Sequence, residues 1–244
     1  MLIPKIPALF LTRPPELQVP VSSGVTNPIF SKKQIYPNSC GAVSLLCVAK
    51  ELGVKTLPPY PGSLSEQLGL DSLEMDNRCE SDIYTITSGA STHRHQQHNL
   101  MLAGYSMPEH IVTAGRLLGL KMTVEEDPGV FSRLLAWLYP EIKQTLSGIG
   151  CPLVKGPEKI EDNQRKIEVM AVSLVGVPSG LHWVVHRNDG SYMDPATGEN
   201  HNNFDELNAG AKRSVSQMLG YYQTGISIVA TAHLQATGQH QVHP

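Results

Sequence analysis

Residues 40–53 read Cys-Gly-Ala-Val-Ser-Leu-Leu-Cys-Val-Ala-Lys-Glu-Leu-Gly. Leu45, Val48, Ala49 and Leu52 recur at helical spacing along one face. Val43, Leu46 and Cys47 are apolar on the other side. A helix that is apolar nearly all round has to be buried, so the rest of the chain must enclose it. Asn38 and Ser39 stand before it as capping side chains, and Gly53 occupies the stop position. With 244 residues, 41% hydrophobic and 17% charged, the chain has the material for such a core. It suits one compact domain, or one domain with an extra lobe.

The formal charge is −3 with ten histidines counted neutral, and there is no Lys/Arg block. Neither nucleic acid nor an anionic membrane surface is expected as a partner. No run approaches the ~20 apolar residues of a membrane span. The first fifteen residues are too short and too proline-broken for a signal-peptide core. The chain is therefore expected to be cytoplasmic where it is made, with secretion as an effector that needs no cleaved signal left open. Cys40, Cys47, Cys79 and Cys151 contain no C-x-x-C pair, and the chain is too long to need disulfide staples. A lone cysteine is usually a small buried hydrophobe. The question is whether one of the four is a reactive thiol.

Pro4, Pro7, Pro14, Pro15, Pro20 and Pro28 keep residues 1–33 out of any helix interior, and we read them as an extended arm or junction. Residues 34–235 form the expected catalytic domain and 236–244 a tail. Ser106-Met-Pro-Glu109 is a capping-box pattern with proline in the first turn. The helix it opens ends at Gly119, and residues 120–124 alternate like a strand. A third helix is expected from about residue 128 to 137. Residues 167–175, 181–186, 191–194 and 225–232 read as strands, with Asn188-Asp189-Gly190 as a hairpin turn. Helices first and antiparallel strands second indicate an α+β fold.

Cys40 lies where a loop meets the N-terminus of the buried helix. Free N–H groups and the helix dipole there favour a thiolate over a thiol, and Gly41 permits close backbone approach. Cys47, about two turns deeper, should point into the core. A nucleophile also needs donors for the developing oxyanion. Gln34, six residues upstream, can turn its amide back beside the Cys40 N–H.

Gln34, Cys40-Gly41, His182-Trp-Val-Val185 and Asp194-Pro-Ala-Thr-Gly198 occur in this order. In these pieces the chain resembles the papain-like cysteine peptidases. Locally it is similar to the double-glycine leader peptidases and to related bacterial toxin and effector cysteine proteases. The resemblance implies an N-terminal helical part whose nucleophile helix packs on a C-terminal antiparallel sheet. It implies a thiol peptidase acting on a protein or peptide substrate with no metal or organic cofactor. By analogy with toxins, an immunity or inhibitor protein becomes an expected partner. Residues 54–166 match no pattern and leave the substrate open.

A strand opposite the nucleophile helix can bring a base to the thiol, and imidazole can hold the Cys40 proton and return it to a leaving amine. On such a strand His182, Val184 and His186 share a face, His186 lying about 13 Å farther along. Asp194 would orient the imidazole. If Asn188–Gly190 is a three-residue loop, Val184 faces Asp194, one diagonal step from His182. A two-residue loop at Asn188–Asp189 would place Asp194 opposite Trp183, on the wrong face, unless a bulge restores it. Trp183 reads as core packing or a flank of the site. His93, His95 and His98, like His233, His240 and His243, read as solvated polar residues, and Cys79 and Cys151 as structural. Two other readings stay open: an amidase, deamidase or transglutaminase using the same residues, and a binding domain with a vestigial triad.

Overall fold

Helix α1 runs Cys40–Glu51, and every residue in it except Lys50 is buried. Gly53, with φ 85°, stops it in the left-handed conformation expected of that position. The structure is a computed structural model and describes residues 28–55, 72–89, 99–127, 141–156, 159–175 and 177–232. Against α1 pack α2 (Asn77–Thr87) and α3 (Pro108–Leu117), and α4 (Ile142–Gly148) packs in turn on α3. A fifth helix, α5 (Phe204–Ser214), comes late in the chain.

The strands are β1 (Lys121–Glu126), β2 (Leu153–Lys155), β3 (Gln164–Leu174), β4 (Val177–His186), β5 (Tyr192–Asp194), β6 (Glu199–His201) and β7 (Leu219–Thr231). They form a seven-stranded sheet in the order β2-β1-β7-β3-β4-β5-β6. All neighbours are antiparallel except β1 and β2. The expected α+β, papain-like plan is the one observed. One face of the sheet presents Ile167, Val169, Trp183, Val185 and Met193 to the core around α1. The other face buries Met170, Val184, Tyr192 and Tyr221 against Leu207 and Ala211 of α5. This two-sided burial is the period-2 alternation of β4 read out in space.

Some local expectations give way to tertiary contacts. The Ser106–Glu109 capping box does not form; Met107 is the N-cap of α3, with no side-chain cap bond. Ser106 is otherwise engaged. Its hydroxyl donates to Thr87 Oγ1 and its carbonyl accepts from Trp183 Nε1. A Cβ on Gly41 would stand 2.5 Å from Ser106 Cβ, so glycine is what lets α1 approach this segment. Strand β7 begins six residues before the expected Gly225, which has φ 79° beside a register shift in its pairing with β3. The expected helix at 128–137, His93, His95, His98 and the last three histidines lie outside the described residues. No helix among the described residues is long and apolar enough to cross a membrane.

Phe30 to Gln34 run as a strap across the domain. Phe30 N–H donates to Glu51 Oε1 and its carbonyl accepts from Arg187 Nη2. Glu51, buried at the end of α1, also accepts from Arg165 Nε at 2.9 Å and from Arg187 Nη2 at 2.7 Å. The helix that carries Cys40 is thus anchored at its far end by two buried guanidinium groups.

Candidate active site

Cys40 is the first residue of α1 and is buried. His182 projects from β4 on the face it shares with Val184. Strand β5 pairs with β4 only at Val185 and His186, so among the described strands β4 is an open edge at His182. An open edge lets a thiol carried by a helix on one face meet an imidazole from the other. Cys40 acts electrostatically on the His182 ring. The ring's Nε2 lies 2.8 Å from Asp194 Oδ1.

The register that brings Asp194 there is set by the hairpin. Val185 pairs with Met193 and His186 with Tyr192, and Arg187 N–H donates to the Ser191 carbonyl. Asn188–Gly190 is therefore a three-residue loop. Its last residue, Gly190, has φ 83°, and its N–H closes the turn on the Arg187 carbonyl. Asp194 Oδ1 also accepts from Ala196 N–H at 2.8 Å, and its carbonyl accepts from Gly198 N–H at 2.7 Å. Asp-Pro-Ala-Thr-Gly is thus a self-capped turn that fixes the carboxylate. Gly198 has φ 77°, and a Cβ on it would stand 2.8 Å from Lys33 N. The strap passes there, and Gln34 N–H donates to the Pro195 carbonyl at 2.9 Å.

Tyr221 was not identifiable from the sequence. Its ring stacks on His182 with centroids 5.3 Å apart, and its hydroxyl donates to Asp194 Oδ2 at 3.2 Å. Asn208 on α5 fixes the Tyr221 backbone, accepting from its N–H at 2.7 Å and donating to its carbonyl at 3.3 Å. The only sequence signal was an aromatic in a stretch too rich in Gly, Gln and Thr to read as strand.

The electrostatics follow from burial and these partners. Burial alone pulls the His182 imidazolium down. Its interactions with Cys40 first, and with the Asp194 carboxylate, outweigh it and push the pKa up to about 10. Burial pushes the Asp194 carboxyl up, but His182, Ala196 N–H and the Tyr221 hydroxyl hold it below the usual carboxylate range. Burial and the Asp194 charge push the Tyr221 phenol far up, so it stays a donor. Cys47 is pushed far up by burial first and by Glu51 second. The two cysteines of α1 thus divide into one beside a cationic ring and one inert in the core.

The Gln34 amide does turn back along its loop, but Nε2 donates to the carbonyls of Tyr36 at 2.8 Å and Pro37 at 3.0 Å. His186 is engaged elsewhere, 3.2 Å from Glu168 Oε2 and stacked on Tyr192 at 4.2 Å. Trp183 is buried in the core cluster. Cys79 and Cys151 are buried thiols.

The family model described as invasion plasmid antigen J, cysteine protease, matches residues 32–233. Over 201 residues the chain is 52% identical to cysteine protease IpaJ of Shigella flexneri, covering 82% of this chain and 78% of that relative. The chain belongs to the IpaJ cysteine protease family. It is a cysteine-type peptidase, and the IpaJ match spans α1, β4, β5 and β7, the elements that assemble Cys40, His182, Asp194 and Tyr221.

Proposed function

We propose that this IpaJ-family protease cleaves peptide bonds of a protein substrate with Cys40 as nucleophile, His182 as general base and acid, and Asp194 as the group that orients the imidazole. The observation that carries this is the 2.8 Å contact from His182 Nε2 to Asp194 Oδ1, with Cys40 interacting with the same ring. The Cys40 sulfur attacks the peptide carbonyl carbon, and the carbonyl oxygen takes the electron pair. His182 then donates its proton to the leaving amine, the C–N bond breaks, and a thioester remains. Water, deprotonated by the same imidazole, releases the acid and restores the thiol.

The oxyanion is held by the Cys40 N–H and by the Gln34 amide. For the second donor to serve, its exposed bond to the Pro37 carbonyl is exchanged for one to the oxyanion. The half-buried bond to Tyr36 keeps the side chain in place. The catalytic unit in this reading is residues 34–235, with Phe30 to Lys33 bonded to it. The match to an invasion plasmid antigen further supports action as a bacterial effector delivered into another cell. The test is incubation with a cellular proteome followed by sequencing of new N-termini, with Cys40→Ala as control. Termini that depend on Cys40 are expected. Ammonia release without new termini would instead favour a deamidase or transglutaminase.

A further inference from the structure

Glu80 is fully buried on α2, and none of the steps above uses it. A buried carboxylate is costly to desolvate and is retained only when its oxygens are well bonded. Oε1 accepts from Ile35 N–H at 2.8 Å and from the Ser39 hydroxyl at 2.7 Å. Oε2 meets Lys32 Nζ at 2.5 Å. All three partners lie in residues 32–39, the stretch that leads to the nucleophile. Neighbouring α2 residues hold the same stretch: Ser81 Oγ is 2.8 Å from the Tyr36 hydroxyl, and Tyr84 stacks on the Tyr36 ring.

Ser39 is the N-cap residue of α1, where a serine ordinarily accepts a hydrogen bond from the first-turn N–H groups. Here it makes no side-chain cap bond. Its hydroxyl is turned to Glu80 instead, and Asn38, the other capping candidate, gives its amide to the Ala103 carbonyl. Among the described residues, neither capping side chain occupies the first-turn N–H groups of α1, at the point where a negative oxygen must be received.

We infer that Glu80 is a positioning residue for the oxyanion site, holding the Ser39 hydroxyl off the end of α1 and fixing the loop that carries Gln34. Lys32, bonded to the other oxygen, neutralises the carboxylate so that it does not oppose an anion forming at Cys40. The inference rests on Cys40 being the nucleophile.

Two small probes separate this role from simple support of the fold. Acylation of Cys40 by p-nitrophenyl acetate forms an S–C bond at a carbonyl, passes through an oxyanion and expels p-nitrophenolate. Alkylation by iodoacetamide displaces iodide at a saturated carbon and forms no oxyanion. In the full chain, Glu80→Gln is expected to slow acylation about 10- to 100-fold and alkylation by less than about threefold. A parallel fall of both rates, or no fall in either, overturns the inference. Should Glu80→Gln fail to fold, Glu80→Asp keeps the charge that faces Lys32 but draws the carboxylate back from the Ser39 hydroxyl. It is expected to slow acylation several-fold and spare alkylation, and equal rates with the parent overturn the inference. Mass spectrometry of the labelled peptides keeps the two failures distinct. If Cys40 of the unaltered chain reacts no faster than Cys47, Cys79 or Cys151, the nucleophile assignment falls first and Glu80 with it.

Discussion

The Tyr221 ring lies against His182 with planes 21° apart, while its hydroxyl donates to Asp194, the imidazole's other partner. One side chain thereby fixes both the tilt of the base and the charge of the acid. Tyr221→Phe keeps the stacking and deletes one hydrogen bond to a buried carboxylate, a loss of about 2 kcal/mol of stability. Turnover is expected to fall roughly tenfold with little change in KM, because the imidazole keeps its plane but Asp194 loses one support. Tyr221→Ala also frees the ring and should cost more than tenfold beyond the Phe variant. Steady-state kinetics of the two variants check this, and equal losses would mean that stacking contributes nothing.

The His182 shift sets a pH window. Its folded pKa, about 10, lies above the ordinary value of 6.5. The stability this proton confers is complete below about 6.5 and is lost as pH rises through about 10. Hydrolysis needs the imidazolium to protonate the leaving amine, so the alkaline limb of the rate profile is expected near pH 10. Asp194→Asn removes a charge and a hydrogen bond that raise the His182 pKa, so this limb should move toward neutral pH. Asp194 itself is depressed, so its contribution is present above pH 3.8 and declines as the solution is acidified through the lower folded value. Rate profiles of parent and variant decide the matter; an alkaline limb unmoved in Asp194→Asn would count against the pairing.

Glu51 offers a test of the scaffold apart from the chemistry. It meets Arg165 and Arg187 in a buried cluster, and removing the one anion leaves two buried cations. Breaking such a pair costs about 3–5 kcal/mol. Glu51→Ala is therefore expected to lower Tm by about 10 °C in a chain of this size. Calorimetry reads the effect directly. Glu51→Gln should lose less, since its amide oxygen still accepts one guanidinium bond.

Legibility in the sequence tracked how local the signal was. Helix α1 announced itself because apolar residues on every side admit only burial, and the structure buries all of them. The Asn188–Gly190 loop was legible because a glycine at the third position permits the bulged hairpin, and that parity alone decides which face Asp194 takes. Helices α2 and α5 were not seen: Cys79, Ile83 and Ile86 of α2 and Leu207 and Ala211 of α5 do share a face, but each stripe is short and set among polar residues such as Glu80 and Asn208, which serve distant segments. The capping box at Ser106 was legible and absent, because Thr87 and Trp183 claim that serine across the fold. Tyr221, Glu80 and the strap act through contacts dozens of residues away, and no short window of sequence contains both partners.

The strap yields the last test. Phe30 is bonded through both backbone groups to the Glu51–Arg187 cluster, and Lys32 neutralises Glu80. A chain beginning at Pro28 keeps these contacts, and one beginning at Gln34 loses them all. Loss of Lys32 leaves a buried carboxylate without its cation, a penalty of about 3–5 kcal/mol by itself. The chain starting at Gln34 should therefore melt about 10 °C or more below the one starting at Pro28. Lys32→Met in the longer chain should reproduce most of that drop, because the ammonium rather than the backbone carries it. Acylation of Cys40 should fall in the shorter chain even at temperatures where it remains folded, since Gln34 would then lead a loop with no anchor upstream. Equal melting temperatures for the two chains would remove the strap from the catalytic unit.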